Sequence, residues 1–314
     1  AGTGMGLALY AIWLAIPSVI KSMEPSVVFS QLKGELVLCF ELPKYHRRLE
    51  ISLILQKEKY ALGDLKKTLG SGTVDVFGQH QSLAIINGLN YRPRPAFQSF
   101  EAYTPYLIRR NYEYFLTSPP DFILFNLGTI DGRYPAQEDS LALASILTNY
   151  IPVADRFDHL ILKKIPQERI DIESQRVLIE EKEIEPGEKL ELPQFSGKPI
   201  WCVVETHPDI RSRLRAFFYQ PEDMSVVIET NNGQAFQHRF LPGPASVGFI
   251  ISPMLADNAE ARLYFCGKFT ALAESIKIET KIRMKSRIGI KFFSLPARAA
   301  DPSICDRSSS SSQF

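Results

Sequence analysis

The sequence predicts an α/β plus all-β protein: a small, largely parallel α/β sheet domain, then an antiparallel β-sandwich of jelly-roll-like strand count, with an N-terminal membrane-type helix. Three observations predict it. Residues 73–165 alternate strand-like and helix-like segments, the grammar of a parallel sheet with crossover helices. From about residue 170 short alternating strands separated by turn sequences take over, as in a sandwich. Residues 1–20 carry no charge, and a bilayer span needs about 20 apolar residues.

Residues 1–21 read as a transmembrane helix, the end of a longer membrane region. Tyr10 and Trp13 suit an interface, and Pro17 and Lys21 mark the exit. Residues 22–72 read as a helical connector. Leu49, Leu53, Leu55, Leu62 and Leu65 form an approximate helical stripe that Gly70-Ser71-Gly72 stops. Lys57, Glu58, Lys59, Lys66 and Lys67 read most simply as a solvated face, with contact to a membrane surface as the sharper reading.

Residues 73–166 form the α/β domain. Thr73 to Phe77 is a β-rich run, and residues 79–89 suit a helix ending at Gly88. Pro95 to Ser99 is strand-like. Thr104 is a good N-cap and Pro105 fits the first helical position, so a helix runs through Phe115. Residues 122–127 are apolar except for Asn126, as in a strand covered on both faces. Pro135 to Asp139 opens another helix, with acids in its first turn. His159 to Lys163 closes the unit as its last strand.

Residues 167–298 form the β-sandwich domain. Val177 to Glu180 and Lys189 to Leu192 flank the turn Glu185-Pro186-Gly187-Glu188. Val226 to Thr230 and Phe236 to Phe240 flank Asn231-Asn232-Gly233, a hairpin signal. In residues 275–282, Ile276, Ile278 and Ile282 alternate with Lys277, Glu279 and Lys281, so one face is buried and one is wet. Arg211, Arg213 and Arg215 alternate on one strand face. Residues 299–314 end in a serine run and read as a disordered tail.

Composition excludes more than it identifies. Among 314 residues, 45% are hydrophobic and the net charge is +1. This is a folding chain, and it lacks the basic excess of a nucleic-acid binder. Cys39, Cys202, Cys266 and Cys305 form no C-x-x-C pair. Cys202 and Cys266 read as buried small hydrophobes, with a disulfide between them as the alternative. The five histidines are scattered singly, so no metal site and no cofactor is expected, and no P-loop, G-x-S-x-G or H-E-x-x-H is present.

One segment carries binding chemistry. Between Thr73 and Tyr150 there are five arginines, no lysine, and 13 of the 34 aromatics. Arginine offers a planar fork for carboxylate or phosphate and stacks on rings. Tyrosine offers a flat apolar surface with a polar tip. The candidate ligand residues are Arg92, Arg94 and Arg133 for an anionic group, Gln98 and Asn111 for hydrogen bonds, and Tyr91 and Tyr103 as walls. Asp131 with Glu138 or Asp139 is the candidate acid–base pair. The plainer alternative makes Asp131-Gly132 a turn, Glu138 and Asp139 helix-start acids, and the arginines internal ion pairs.

The runs Val74-Asp-Val-Phe-Gly, then Asn87 through Leu107, then Ile130-Asp-Gly-Arg-Tyr-Pro135 resemble the soluble C-terminal part of a family of large, uncharacterised bacterial multi-pass membrane proteins. That family is similar in layout to membrane glycosyltransferases that use lipid-linked sugars. The resemblance covers roughly residues 1–165 and, more weakly, the β-domain. It implies no reaction for this segment. In such glycosyltransferases the catalytic acid generally lies in a loop between early membrane helices, so no catalytic residue carries over.

The expectation is a membrane-tethered extracytoplasmic (periplasmic) module that binds or positions a glycan or lipid-linked substrate, with membrane lipid as partner through the N-terminal segment. The alternatives are a glycosyltransferase or glycoside hydrolase using Asp131, and a purely structural interaction module.

Overall fold

The computed structural model describes residues 42–206, 224–280 and 287–297. The expected span at 1–21, the alternating arginines at 211–215 and the serine tail lie outside these. Among the described residues no helix is long and apolar enough to cross a membrane.

Helix α1 (Leu42–Lys59) belongs to a first compact unit that ends at Ala61, and none of its residues is buried. The second unit begins at Leu62. There Leu62 is buried, as is Leu69 of α2 (Leu65–Leu69), and Gly70 stops that helix with a positive φ of 54°.

A five-stranded sheet follows. Its strands are β1 (Thr73–Phe77), β2 (Asn90–Tyr91), β3 (Phe122–Phe125), β4 (Tyr150–Arg156) and β5 (His159–Lys164), in the order β2-β1-β3-β5-β4. The first three are mutually parallel, with α3 (Ser82–Ile86) and α4 (Pro105–Thr117) as crossovers. The chain leaves β1 toward β2 and then crosses back past it to β3. Right-handed crossovers in opposite directions put α3 and α4 on opposite faces of the sheet. The strands β1 and β3 are therefore covered on both sides, and all of β3 is buried.

The sheet is mixed rather than largely parallel. Strand β5 runs antiparallel to both β3 and β4. The cause is a two-residue turn, Phe157-Asp158, with both φ values positive at 51° and 58°; so tight a link permits only an antiparallel hairpin. Pro152 argues against a strand, yet β4 is an edge strand, where a missing N–H is tolerated.

Two more expectations change. Residues 95–98 form a loop that runs into a 3₁₀ turn (Ser99–Glu101), not a strand, because Pro93 and Pro95 cannot donate to a ladder. Residues 135–137 form only a 3₁₀ turn, and the helix α5 starts later (Ser140–Asn149). Asp139 sits at its N-cap in a left-handed conformation rather than inside its first turn. The helix after β1 is also shorter than expected, while Thr104 caps α4 as expected: its Oγ1 accepts the Leu107 N–H.

The rest of the unit holds two antiparallel four-stranded sheets. One comprises β7 (Lys189–Glu191), β9 (Met224–Thr230), β10 (Ala235–Phe240) and β12 (Ala273–Thr280). The other comprises β6 (Val177–Ile184), β8 (Ile200–Thr206), β11 (Phe249–Ser252) and β13 (Ile288–Ser294). The hairpin at residues 231–233 joins β9 and β10 as expected. The turn at residues 185–188 instead carries the chain from one sheet to the other. Ile276 and Ile278 are fully buried, as the alternation in this strand requires.

Helix α5 ties these layers together. All ten of its residues are buried, which fits a helix apolar on every side. It packs against α4 and against β11, so the mixed sheet and the β11 sheet share one hydrophobic core. Tyr134, fully buried, adds a polar tie by donating from Oη to the Ile250 carbonyl.

Candidate functional site

Strand order β2-β1-β3 makes the gap between β1 and β3 a switch point, where the chain leaves in opposite directions. Ligands of doubly wound sheets bind outside the carboxyl ends of such strands. Three loops meet there: 78–81 after β1, 92–104 after β2 and 126–139 after β3.

The loops are bound to each other from within. Arg94 is fully buried. Its Nε donates to Asp139 Oδ2 at 2.7 Å, Nη1 to Asp75 Oδ2 and the Val76 carbonyl at 2.8 Å, and Nη2 to Ser99 Oγ at 2.8 Å. The guanidinium also stands 5.0 Å from the Phe77 ring. Asn111, on α4, clamps the residue that the prolines leave unpaired: it accepts from Ala96 N–H at 2.8 Å and donates to the Ala96 carbonyl at 3.0 Å. It also donates to Asp139 Oδ2 at 2.8 Å. Ser99 Oγ accepts the Gly78 N–H, and Gln81 donates to the Phe97 carbonyl. Arg133 Nη1 donates to the Phe100 carbonyl at 3.1 Å.

Two carboxylates face one guanidinium, so the buried group is one positive charge short. Burial pushes both acids up, Asp139 to about 6, while Arg94 pulls them down. Asp75 likewise holds a raised affinity for its proton. Tyr91, the candidate wall residue, is half-buried, and burial pushes its hydroxyl up to about 12.

The structure thus divides the sequence candidates. Arg94, Asn111 and Asp139 are interior struts with no accessible surface on their side chains' polar ends. Arg92 is exposed, with its carbonyl held by Tyr114 Oη at 2.6 Å. Gln98 is half-buried 3.5 Å from Gln81 Oε1. Tyr103 is 61% exposed, and the aromatics Phe97 and Tyr106 are 43% and 69% exposed.

Asp131 and Glu138 meet at Arg133. Nη2 of Arg133 is 3.8 Å from Asp131 and Nη1 is 3.7 Å from Glu138. The two carboxylates therefore lie less than about 10 Å apart, within the reach of two-carboxylate glycoside chemistry. Arg239 of β10 approaches Asp131 at 3.5 Å, and its N–H donates to the Gly132 carbonyl. Burial pushes Glu138 up to about 7, against the pull of Arg133.

Sequence reasoning missed a neighbouring group. His80, after β1, and His159, at the start of β5, pack edge to face with ring centroids 5.1 Å apart. His159 is 96% buried by its 4% exposure, and its Nδ1 lies 2.6 Å from the Phe157 carbonyl. A carbonyl only accepts, so Nδ1 carries the proton and Nε2 presents a lone pair. Asn126 and Asn258 both donate to the Asp158 carbonyl. A cavity of about 160 Å³ beside them is lined by Asp155, Asp158, His159, Asn258 and Arg262. A single histidine at residue 80 and another at 159 give no spacing signal; only the β4–β5 turn brings them together. Among the described residues no group of three or more His, Cys, Asp or Glu is arranged to hold a metal.

No protein-family model and no curated protein matches the chain. Among solved structures it is similar to a chain of Pseudomonas aeruginosa AlgX, at 13% identity and a TM-score of 0.28. The match covers 73% of this chain and 50% of that one, so this chain spans about half the AlgX chain's length.

Cys202 is free and buried, whereas Cys266 is disulfide-bonded. The pairing of these two with each other does not occur.

Proposed function

We propose that this chain is a glycan-binding or glycan-positioning module of an extracytoplasmic, membrane-associated protein. One observation carries the reading: the loop after β2 is locked from beneath by the Arg94–Asp75–Asp139–Asn111 group, yet holds Arg92, Phe97 and Tyr103 outward. Exposed aromatics on a rigid base suit sugar rings, since little ordering entropy is lost on binding. Arg92 favours an acidic sugar or a phosphate of a lipid-linked one. The Cys266 disulfide supports an oxidising compartment.

Titration calorimetry of the purified chain against neutral and acidic polysaccharides tests this. Tyr103→Ala lowers affinity about tenfold for both classes, and Arg92→Ala lowers it for the acidic class alone. Absence of binding to either class, or affinity unmoved in both variants, overturns the proposal.

A second reading has its own support. Glu138, which burial pushes up to about 7, and Asp131 flank the same guanidinium, an arrangement that supports reading them as acid and base of a glycosyl-transfer or hydrolysis reaction. Glu138→Gln separates the two: under the enzyme reading it abolishes turnover and spares binding.

A further inference from the structure

We propose that α1 lies on the headgroup layer of an anionic bilayer, as a surface-docking helix distinct from any membrane span. All 18 of its residues are out of the core, yet Leu42, Tyr45, Leu49, Ile51, Leu53, Ile54 and Leu55 are each between 44% and 59% exposed. At 100° per residue, Leu42, Tyr45, Leu49 and Leu53 fall on one stripe, filled out by Ser52 and Gln56, with no acid or strong base within it. Arg48 and Lys59 border this stripe on one edge and Lys57 on the other, while Arg47 and Lys44 lie opposite it among Ile51, Ile54 and Leu55. The helix carries five Lys or Arg against Glu50 and Glu58, a net +3 before His46 is counted.

Charge complementarity selects the occupant. A second copy of the helix would bring +3 against +3. An acidic headgroup layer takes the cations, and the apolar stripe sinks at the headgroup–acyl boundary. The long arginine and lysine stems let the charges on the flanks reach the same layer. The helix ends in Lys57 and Lys59, with Lys59 set 5.0 Å over the Tyr60 ring. An aromatic–cation pair of this kind suits the interface. The inference does not depend on glycan binding, since it uses none of the residues of that site.

Co-sedimentation of the full chain with vesicles tests it, using phosphatidylcholine alone and phosphatidylcholine with 30% phosphatidylglycerol. An apolar span binds both kinds alike, so the readout is the difference between them. Wild type binds the anionic vesicles more tightly, and the excess fades in 0.5 M salt. Arg47→Glu with Arg48→Glu lowers the anionic excess at least about tenfold. Leu49→Glu with Leu53→Glu abolishes the excess, and neither pair changes the melting temperature, because none of the four residues is in the core. Equal binding to both vesicle types, or an excess that survives both variant pairs, overturns the proposal. So does a concentration-dependent dimer that Leu49→Glu with Leu53→Glu dissolves.

Discussion

Arg94→Met is the sharpest test of the reading that this arginine is a strut rather than a ligand contact. It is fully buried and gives four hydrogen bonds of 2.7 to 2.8 Å, two of them to carboxylates. Methionine keeps most of the volume but leaves Asp75 and Asp139 without a counter-charge. Removing one partner of a buried pair costs about 3–5 kcal/mol. The cost must also depend on pH, and its sign follows from the raised acids. An acid held near pH 6 in the fold but at 3.8 when unfolded binds more protons in the fold. Stability from that group is therefore fullest at low pH and falls as pH rises from about 4 to about 6, by about 3 kcal/mol. Without Arg94 both acids hold their protons to higher pH, so the fall extends upward. Arg94→Met should then lose about 3–5 kcal/mol at pH 8 and distinctly less at pH 5. Urea unfolding followed by the fluorescence of buried Trp201 measures this at pH 5, 6.5 and 8. Adding Asp139→Asn to the variant should restore part of the loss at pH 8. A loss below about 1 kcal/mol at pH 8, a loss equal at all three pH values, or no rescue by Asp139→Asn would refute the reasoning.

Glu138, raised to about 7 from 4.5 by burial, should make stability fall between those pH values. Glu138→Gln should flatten that part of the profile by at most about 3 kcal/mol, as read by melting temperature against pH. Gly248→Ala should destabilise strongly, by more than about 2 kcal/mol in chemical denaturation. Its φ is +107° and the added Cβ would stand 2.0 Å from the Trp201 indole nitrogen. Thr104→Ala should cost about 1 kcal/mol, with hydrogen exchange rising first at the Leu107 amide that the threonine caps.

What the sequence reveals of the fold follows the range of the forces involved. Caps, turns and two-fold alternation are local, so α4, β3, the β9–β10 hairpin and β12 were legible within one or two residues. Strand direction was not. It depended on Phe157-Asp158, a pair with left-handed φ that carries no glycine and so does not announce a tight turn. The sheet membership of β6 and β7 was equally hidden, because a good turn sequence fits a hairpin and a sheet-to-sheet link alike.

The site was legible in residue type but not in role. Arg92 and Arg94 are two apart, and on a regular strand they would share a face. Pro93 and Pro95 break that rule by denying the segment a ladder, so one arginine turns into the core and its neighbour into solvent. The partner requirement would have given a hint. Asp75 lies in a strand that apolar neighbours mark as covered on both faces, and a buried carboxylate needs a cation or a proton. With no lysine between residues 73 and 150, the cations nearest in sequence are the arginines of the segment. Which one does so depends on Asp139, 45 residues away in sequence, arriving at the same guanidinium. That convergence leaves Arg92 as the exposed cation of the loop. The buried group and the exposed loop are thus one device: the charge hidden in Arg94 fixes the loop that holds Arg92 in solvent.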